Sequence, residues 1–402
     1  MLFLCPGRAP RRPLPRRIAI GSAVVILLSA FILFTPSLSG IDLPLVVKGI
    51  PSLLGTIYSD VTEHKGQPGP TAIDRVTNDM LGFPKVFIVG LPERSNKRDA
   101  IALTSALTGF HVEWVDGVNG ERISNEAAPF GVYMERLWNT NLGSWRGHMT
   151  TVRRIVEENL QSAMIMEDDM DWDTRLKSQL LMIAQGAREL FPAPRLHPPL
   201  PPYGWSWDLL WLGHCGEVFP DLLDENKGKP ADDAGIRYMS RKFTISDDPT
   251  VPDLDKVTGL IDFRIELRHT WWVHVTGAPI CTFAYALSNR GARKVLLDLS
   301  VDHLTGPFDN ALAGLCRRAV SNYGTLDPDR TGDRGLDTKC ISVTPPIFFH
   351  HKAKGSVNAD SDIQTVAGGE IREHGTTENI VRSARGNLRN MIMGTEMESQ
   401  YD

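Results

Sequence analysis

Short apolar runs alternate with helical patterns between residues 85 and 299, and this alternation constrains the fold more than any other feature. The strand-like runs lie at 85–91, 110–117, 163–166, 207–213 and 278–288. The helical patterns lie at 98–109, 147–161, 174–190 and 289–299. Strands and helices that alternate at this spacing are typical of an α/β domain with a mostly parallel sheet flanked by helices.

An apolar segment of a different kind lies near the N-terminus. Residues 18–34 carry no charge, and the apolar stretch extends to Leu38, which is long enough for a helix to span a bilayer. A cleaved secretory signal is the alternative, but its apolar region is shorter, about 7–15 residues. Five arginines precede the segment: Arg8, Arg11, Arg12, Arg16 and Arg17. They favour a cytoplasmic N-terminus, so we predict a transmembrane signal anchor at 18–38.

The anchor sets the expected organisation of the chain as a single-pass type II protein of the Golgi or endoplasmic reticulum membrane. Residues 1–17 form a cytoplasmic tail, and residues 39–80 read as a stem interrupted by Gly and Pro. The folded body follows at 81–355 on the lumenal side, with a polar insertion or lid at 221–258. Residues 356–402 are poor in large apolar side chains, so we expect a loosely ordered C-terminal tail.

Charge and cysteine content narrow the possible partners and the compartment. The net charge of −5 gives no basic excess, which argues against nucleic acid as a partner. Four cysteines follow the anchor: Cys215, Cys281, Cys316 and Cys340. In an oxidising compartment they allow three disulfide pairings, and the sequence does not choose among them.

Five carboxylates follow the buried run 163–166: Glu167, Asp168, Asp169, Asp171 and Asp173. In an α/β sheet, ligands bind at the carboxyl ends of the strands, where the first three of these acids are expected. Their hard oxygens suit Mg²⁺ or Mn²⁺. The alternative is a solvated turn that caps the next helix, a role that fits the last two acids best. A calcium loop is disfavoured because Thr174 and Leu180 stand where glycine and glutamate belong.

Several further segments occur in a characteristic order. The run "VFIVGLPERSNKR" contains Arg94 and Arg98, "WVDGVNG" follows, and "LGSWRGHMTTVRRIVEENLQSAMIMEDDMDW" leads into the acidic cluster. The segments "CTFAYALSNRGARKVL" and "GPFDNAL" come next. Together, over about residues 83–355, they resemble glycosyltransferase family 25, which includes lipooligosaccharide and collagen galactosyltransferases. Gly90, Ser144 and Gly147 depart from the residues usual in that family.

The resemblance implies a GT-A-like, Rossmann-type fold in which 81–355 is the catalytic domain. It implies an inverting transfer of a hexose, galactose or glucose, from a UDP-sugar donor to a glycan or glycoprotein acceptor. Mn²⁺ or Mg²⁺ would be held by Asp169 with Asp168 or Glu167. The implied donor-binding residues are Arg94, Arg98, Asp116, His148, Glu167, Asp168 and Tyr285. His350 or His351 is a further candidate for a metal or phosphate ligand, although a surface turn is the alternative.

An inverting transfer needs a general base to take the proton of the acceptor hydroxyl. The resemblance points to Asp309, which follows the family's Gly-Ala helix. Asp302 is the rival and Glu217 is a third candidate. For both aspartates the competing interpretation is a helix N-cap.

Two other functions remain open at this point. The departures at Gly90, Ser144 and Gly147 are compatible with a non-catalytic lumenal module that binds carbohydrate or acts as a scaffold. The intact acidic cluster counts against that alternative. A two-metal hydrolase would require more dispersed His and Asp ligands than the sequence offers.

Overall fold

The apolar runs predicted as strands form five adjacent strands, from the β2 edge inward, of an eight-stranded sheet with the order β2-β1-β3-β8-β5-β9-β7-β6. The main-sheet strands are β1 (Val86–Gly90), β2 (Glu113–Asp116), β3 (Ser162–Glu167), β5 (Leu209–Gly213), β6 (Lys242–Ile245), β7 (Trp271–Val275), β8 (Ala284–Ser288) and β9 (Cys340–Thr344). Smaller sheets contain β4 (Met170–Trp172), β10 (Phe348–Lys352), β11 (Gly355–Ser356), β12 (Ile371–Arg372) and β13 (Thr376–Thr377). The computed structural model describes residues 71–129, 137–192, 201–259, 267–302, 304, 306–321, 335–363 and 369–401. All of them belong to one compact unit that spans residues 67–402.

The main sheet is mixed, and most of its strands share one direction. Strands β7 and β8 run opposite to the other six, because β8 pairs antiparallel with both β3 and β5, and β7 with both β6 and β9. The remaining pairings, β1 with β2 and β3, and β5 with β9, are parallel. The predicted α/β class is confirmed. The two reversed strands are a feature that the apolar runs alone did not indicate.

Seven helices are described: α1 (Ser95–Leu107), α2 (Asn139–Glu157), α3 (Leu176–Leu190), α4 (Ala234–Met239), α5 (Asn289–Leu296), α6 (Phe308–Val320) and α7 (Leu388–Met393). Successive strand residues point to opposite faces of the sheet, so Ile88 joins a core with α3 while Phe87 joins a core with α2, α5 and α6. Helices therefore cover both faces, as the alternating pattern predicted.

Helix α2 begins eight residues before its predicted start at Gly147. Leu142 and Trp145 extend its buried face toward the N-terminus. Gly143 lies inside the helix because a Cβ there would collide with the carbonyl oxygen of Val118. Gly143 thus permits close packing of α2 on the loop after β2, and Gly147 does not mark the start of the helix.

The polar segment 221–258 contributes a strand to the sheet. Helix α4 and strand β6 lie within it, and β6 pairs with β7 at the sheet edge. None of its described residues lines either of the two cavities that meet at Glu167 and Asp169. The interpretation of this segment as a lid therefore finds no support in its described residues.

The C-terminal residues are packed, so the expectation of a loosely ordered tail is wrong for 369–401. Strand β10 pairs with both β4 and β13, and Ile380 and Ala384 are buried. Asp171 is fully buried and accepts hydrogen bonds from Thr377 Oγ1 at 2.6 Å and from the backbone N–H of Arg385 at 3.0 Å. Asp171 therefore anchors this segment and caps no helix.

Asp173 lies just before the start of α3, in agreement with its predicted role as a helix cap. Its carboxylate accepts from the backbone N–H of Arg175, just before α3, at 2.9 Å. It also accepts from the backbone N–H of Arg382 at 2.9 Å, so it too holds the C-terminal segment.

The predicted anchor at 18–38 and most of the predicted stem lie outside the described residues. Among the helices that the structure does describe, none combines the length and apolar character needed to cross a bilayer. Residues 71–80 contain a short 3₁₀ turn at Asp74–Thr77.

We expect Asp171→Ala to loosen the C-terminal segment, because it leaves the hydroxyls of Thr377 and Ser383 and the N–H of Arg385 without their acceptor. The free energy of unfolding should fall by about 3 kcal/mol, measured by denaturant titration. Limited proteolysis should also cut within 369–401 earlier than in the wild type.

The exposed carboxylate of Asp232 provides the control. Asp232→Ala should leave both readouts unchanged. Burial alone would raise the pKa of Asp171, but His351 and the hydroxyls of Ser383 and Thr377 outweigh it and hold that pKa below its ordinary value. The stabilising contribution of Asp171 is therefore present at neutral pH and lost as the pH falls through this lowered pKa. Equal proteolysis of Asp171→Ala and Asp232→Ala would contradict the anchoring role.

Candidate active site

The three acids at the end of β3 point in different directions. Glu167 accepts a hydrogen bond from Thr282 Oγ1 at 2.9 Å, and its Oε1 lies 3.6 Å from His148 Nε2. Asp168 and Asp169 turn the other way, toward Lys97 on α1. The carboxyl end of β3 therefore supplies carboxylates to two separate environments.

Lys97 is the shared cation of a cluster of three carboxylates. Its ammonium nitrogen lies 3.3 Å from Asp168 Oδ1, 3.0 Å from Asp169 Oδ2 and 2.7 Å from Asp362 Oδ2. Burial favours the neutral amine, but the charges of Asp169 and Asp168 outweigh it and keep the pKa of Lys97 above its ordinary value. Lys97 is 7% exposed, so the cation of this cluster is nearly buried.

The two neighbouring aspartates in the cluster differ in their titration. Burial, and then the charge of Asp169, raise the pKa of Asp168 to about 7. Burial also acts on Asp169, but there Lys97 and His350 outweigh it and lower the pKa. As the pH falls, Asp168 is therefore protonated before Asp169.

Gly90 makes room for Asp168. A Cβ at this position would lie 2.6 Å from Asp168 Cβ, closer than real contacts allow. The departure at Gly90 thus has a physical reason, because the Asp168 side chain occupies the space of the side chain that glycine lacks.

Asp169 and His350 have the features of a partial metal site. Asp169 Oδ1 and His350 Nε2 are both buried and have no hydrogen-bond partner, and His350 Nε2 lies 3.6 Å from the other oxygen of Asp169. Across the described ranges, no group of three or more His, Cys, Asp or Glu side chains has the spacing of a complete site. The Asp169 carboxylate nevertheless suits Mn²⁺ or Mg²⁺, which commonly complete their coordination with water and substrate phosphates, and the His350 imidazole favours Mn²⁺ of the two.

Two cavities meet at these acids. The larger, of about 970 Å³, is lined on one side by Phe283, Phe308 and Asp309, and by His350. The smaller, of about 440 Å³, lies among the ends of β1, β2 and α2 and is lined by Lys97 and His148. Glu167 and Asp169 line both cavities, so they lie on the partition between them.

His148 and Tyr285 form a buried pair behind the smaller cavity. His148 Nδ1 lies 3.0 Å from the Tyr285 hydroxyl, and its ring stacks on Phe308 with centroids 4.4 Å apart. Tyr285 is fully buried and lines neither cavity. The geometry therefore makes Tyr285 a support for His148, whereas the sequence analysis predicted a donor contact.

Arg98 and Asp116, both predicted to bind the donor, pair with each other. Arg98 also donates to Gly90 O at 3.2 Å and stacks on Trp114, with 4.5 Å from its guanidinium carbon to the ring centroid. Neither residue lines a cavity, so the pair joins the ends of β1 and β2. Arg94 contacts Asp362 and lines a third cavity on the other side of Lys97.

The three candidate general bases have different surroundings in the structure. Asp309 begins α6, lines the larger cavity, and accepts from the backbone N–H of Cys281 at 3.3 Å. Asp302 is exposed at the end of the turn after α5 and lines neither cavity. Glu217 is 1% exposed and accepts from the N–H groups of Val218 and Ala278. Only Asp309, of these three, faces a cavity.

Four site residues were missed by the sequence analysis: Lys97, Cys281, Thr282 and Asp362. Lys97 had a usable signal, because it lies one turn after Arg94 on the same helix face. Asp362 had none, since it lies 265 residues from Lys97 in a segment expected to be loose.

By sequence, the chain is a distant relative of glycosyltransferases. Procollagen galactosyltransferase 1 of Danio rerio is 23% identical over 299 residues, which cover 71% of this chain and 39% of the relative. Procollagen galactosyltransferase 1-B of Xenopus laevis is 22% identical over 305 residues, 73% of this chain and 40% of the relative. The human procollagen galactosyltransferase 2 is 22% identical over 116 residues, 26% of this chain and 18% of the relative. No protein-family model matches the chain. The chain spans about two fifths of the length of the first two relatives.

We expect Lys97→Met to destabilise the fold because it leaves three carboxylates close together without their cation. The loss in unfolding free energy should be about 3–5 kcal/mol at pH 8, measured by denaturant titration. The raised pKa of Asp168 means that its contribution to stability is present in acid and is lost as the pH rises through about 7. The gap between variant and wild type should therefore shrink at pH 5.

Lys256 is a matched control, because it is half-exposed and, among the described residues, forms its ion pair with the exposed Asp255. Lys256→Met should change the unfolding free energy by less than about 1 kcal/mol at either pH. A loss in Lys97→Met that is the same at pH 5 and pH 8 would contradict the electrostatic role of Lys97.

Proposed function

We propose that this protein is an inverting glycosyltransferase with a GT-A-like fold, related to family 25. It would move a hexose, galactose or glucose, from a UDP-sugar to a saccharide or glycoprotein acceptor. The observation that carries the proposal is the meeting of two cavities at Glu167 and Asp169, at the carboxyl end of β3. The distant relation to galactosyltransferases supports it.

The smaller cavity is assigned to the donor. It lies at the ends of adjacent parallel strands β1, β2 and β3, where α/β sheets bind nucleotides. The ammonium of Lys97 lines it and would contact the diphosphate. Asp169 and His350 would hold Mn²⁺ or Mg²⁺, which when bound neutralises negative charge on the leaving diphosphate.

The larger cavity is assigned to the acceptor. Its volume of about 970 Å³ is enough for one or more sugar units, and Phe283 and Trp138 line it. Trp138 is 63% exposed, so its ring is available for stacking on a sugar face. Asp309 lies in the same wall.

Asp309 is the proposed general base. The acceptor hydroxyl oxygen would attack the anomeric carbon as the bond from that carbon to the diphosphate oxygen breaks. The electron pair of that bond leaves with UDP, and the hydroxyl proton passes to the Asp309 carboxylate. The N–H of Cys281 holds this carboxylate in place.

A lumenal, membrane-anchored location completes the proposal. Both disulfides of the described chain, Cys215–Cys281 and Cys316–Cys340, require an oxidising compartment. The apolar segment 18–38 would anchor the protein in the Golgi or endoplasmic reticulum membrane.

A non-catalytic lumenal module is the second candidate, and one observation favours it. Lys97 already lies within ion-pair distance of Asp168, Asp169 and Asp362, so the acidic cluster has a cation without a metal. The orphaned atoms Asp169 Oδ1 and His350 Nε2 favour the transferase instead, because a purely structural cluster has no use for them.

Incubation of the purified full chain with Mn²⁺ and a panel of UDP-sugars tests the proposal through UDP release, with and without saccharide acceptors. We expect release with one donor, dependent on Mn²⁺, and reduced on the order of 100-fold in Asp169→Asn. Asp232→Asn is the control and should behave as wild type. No release with any donor, or full release by Asp169→Asn, would overturn the proposed function.

Asp362→Asn should strengthen donor binding. Asp362 contacts both Lys97 and Arg94, so its carboxylate competes with the donor diphosphate for the same cations. The Kd of UDP, measured by calorimetry, should fall roughly threefold to tenfold. Glu373→Gln, which removes one negative charge at an exposed site, is the control. An equal fall in the Kd of UDP in that variant would mean that net charge, and not competition by Asp362, causes the gain.

A further inference from the structure

Two consecutive residues each hold one carboxylate that faces the larger cavity. The backbone N–H of Cys281 donates to Asp309 Oδ2 at 3.3 Å, and the hydroxyl of Thr282 donates to Glu167 Oε1 at 2.9 Å. All four residues line that cavity. The position of Asp309 relative to Glu167 therefore depends on one dipeptide.

The backbone of this dipeptide is held in an unusual conformation. Cys281 has a φ of +67°, in the left-handed region that residues other than glycine rarely adopt. Such a conformation persists only where neighbouring contacts hold it. Here the Trp211 indole N–H donates to Cys281 O at 3.1 Å, and the N–H of Cys215 donates to Ile280 O at 2.9 Å.

The disulfide Cys215–Cys281 adds a covalent link at the same point. Strand β5 ends at Gly213, two residues before Cys215, so the bond ties the dipeptide to the centre of the main sheet. The second disulfide, Cys316–Cys340, joins α6 to β9. It lines a different cavity, of about 200 Å³, and touches neither carboxylate.

We propose that the Cys215–Cys281 disulfide is a positioning device for catalysis. Through Cys281 and Thr282 it fixes Asp309 in the wall of the larger cavity and Glu167 on the partition between the two cavities. The inference rests on the proposed glycosyl transfer, because that proposal makes Asp309 the general base and starts from the meeting of the cavities at Glu167. Cys281 and Thr282 are positioning residues, since each acts through a carboxylate. A misplacement of reacting groups by about 1 Å can lower a rate on the order of 100-fold.

The first test compares the two disulfides in the full chain. The double variant Cys215→Ala/Cys281→Ala should lower kcat for transfer roughly 10-fold to 100-fold, while the Kd of UDP stays within about twofold. Hydrogen exchange should rise in peptides covering 277–284 and 306–312. The control Cys316→Ala/Cys340→Ala should keep kcat and the exchange of those peptides near wild-type values.

The second test leaves both disulfides intact. Thr282→Val removes the hydroxyl that holds Glu167 and keeps the shape of the side chain, whereas Thr282→Ser keeps the hydroxyl. We expect kcat to fall roughly tenfold in Thr282→Val and to return to near wild type in Thr282→Ser. This pair decides the question even if the cysteine variant does not fold.

The outcomes separate this inference from the proposed function. Transfer by the wild type with unchanged kcat in Cys215→Ala/Cys281→Ala, or with equal losses in both cysteine variants, would overturn the positioning role. Equal losses in Thr282→Val and Thr282→Ser would also overturn it. If the wild type shows no transfer with any donor, the proposed function and the positioning role fail together, whereas the outcomes above overturn the positioning role alone.

Discussion

The buried ammonium of Lys97 is the interaction on which the rest of the site depends. Two consecutive aspartates and a third from a distant segment lie within reach of one another, an arrangement that carboxylates cannot maintain without a cation. Lys97 supplies that charge from inside the fold. By doing so it joins α1, the end of β3 and the segment around Asp362, which are far apart in sequence. Removing one partner from such a buried cluster costs much more than removing a surface ion pair.

Local patterns predicted the framework of the site well. The end of β3 and the position of Glu167, Asp168 and Asp169 follow from one apolar run and the acids after it, which are adjacent in sequence. Arg98 and Asp116 illustrate the limit. Asp116 ends β2 and Arg98 lies in the helix that follows β1, yet the two side chains pair with each other and line neither of the two cavities. Whether a charged side chain binds a ligand or pairs with another side chain depends on the geometry between helices and strands. The spacing of residues along the chain does not give that geometry.

The C-terminal segment exposes a second limit of sequence reasoning. Residues 369–401 have few large apolar side chains, so composition predicted little order. The segment is held instead by buried polar groups, with Asp171 and Asp173 as acceptors for its hydroxyls and backbone N–H groups. Arg385 adds hydrogen bonds to Met170 O and Asp168 O at 3.0 and 2.9 Å. A prediction of order from composition depends on the number of apolar residues available for burial. It therefore misses a segment that is ordered by hydrogen bonds to buried acids.

The reversed direction of β8 explains how one end of the sheet serves two cavities. In an all-parallel sheet, only the residues that follow each strand reach the carboxyl edge. Because β8 runs antiparallel between β3 and β5, the residues that precede it also arrive there, and Ala284 pairs with both Met166 and Gly213. Cys281 and Thr282 therefore lie beside Glu167, and Cys215 lies within bonding distance of Cys281. The strand that departs from the parallel pattern thus brings Cys281 and Thr282 to the edge of the sheet at which Glu167 lies between the two cavities.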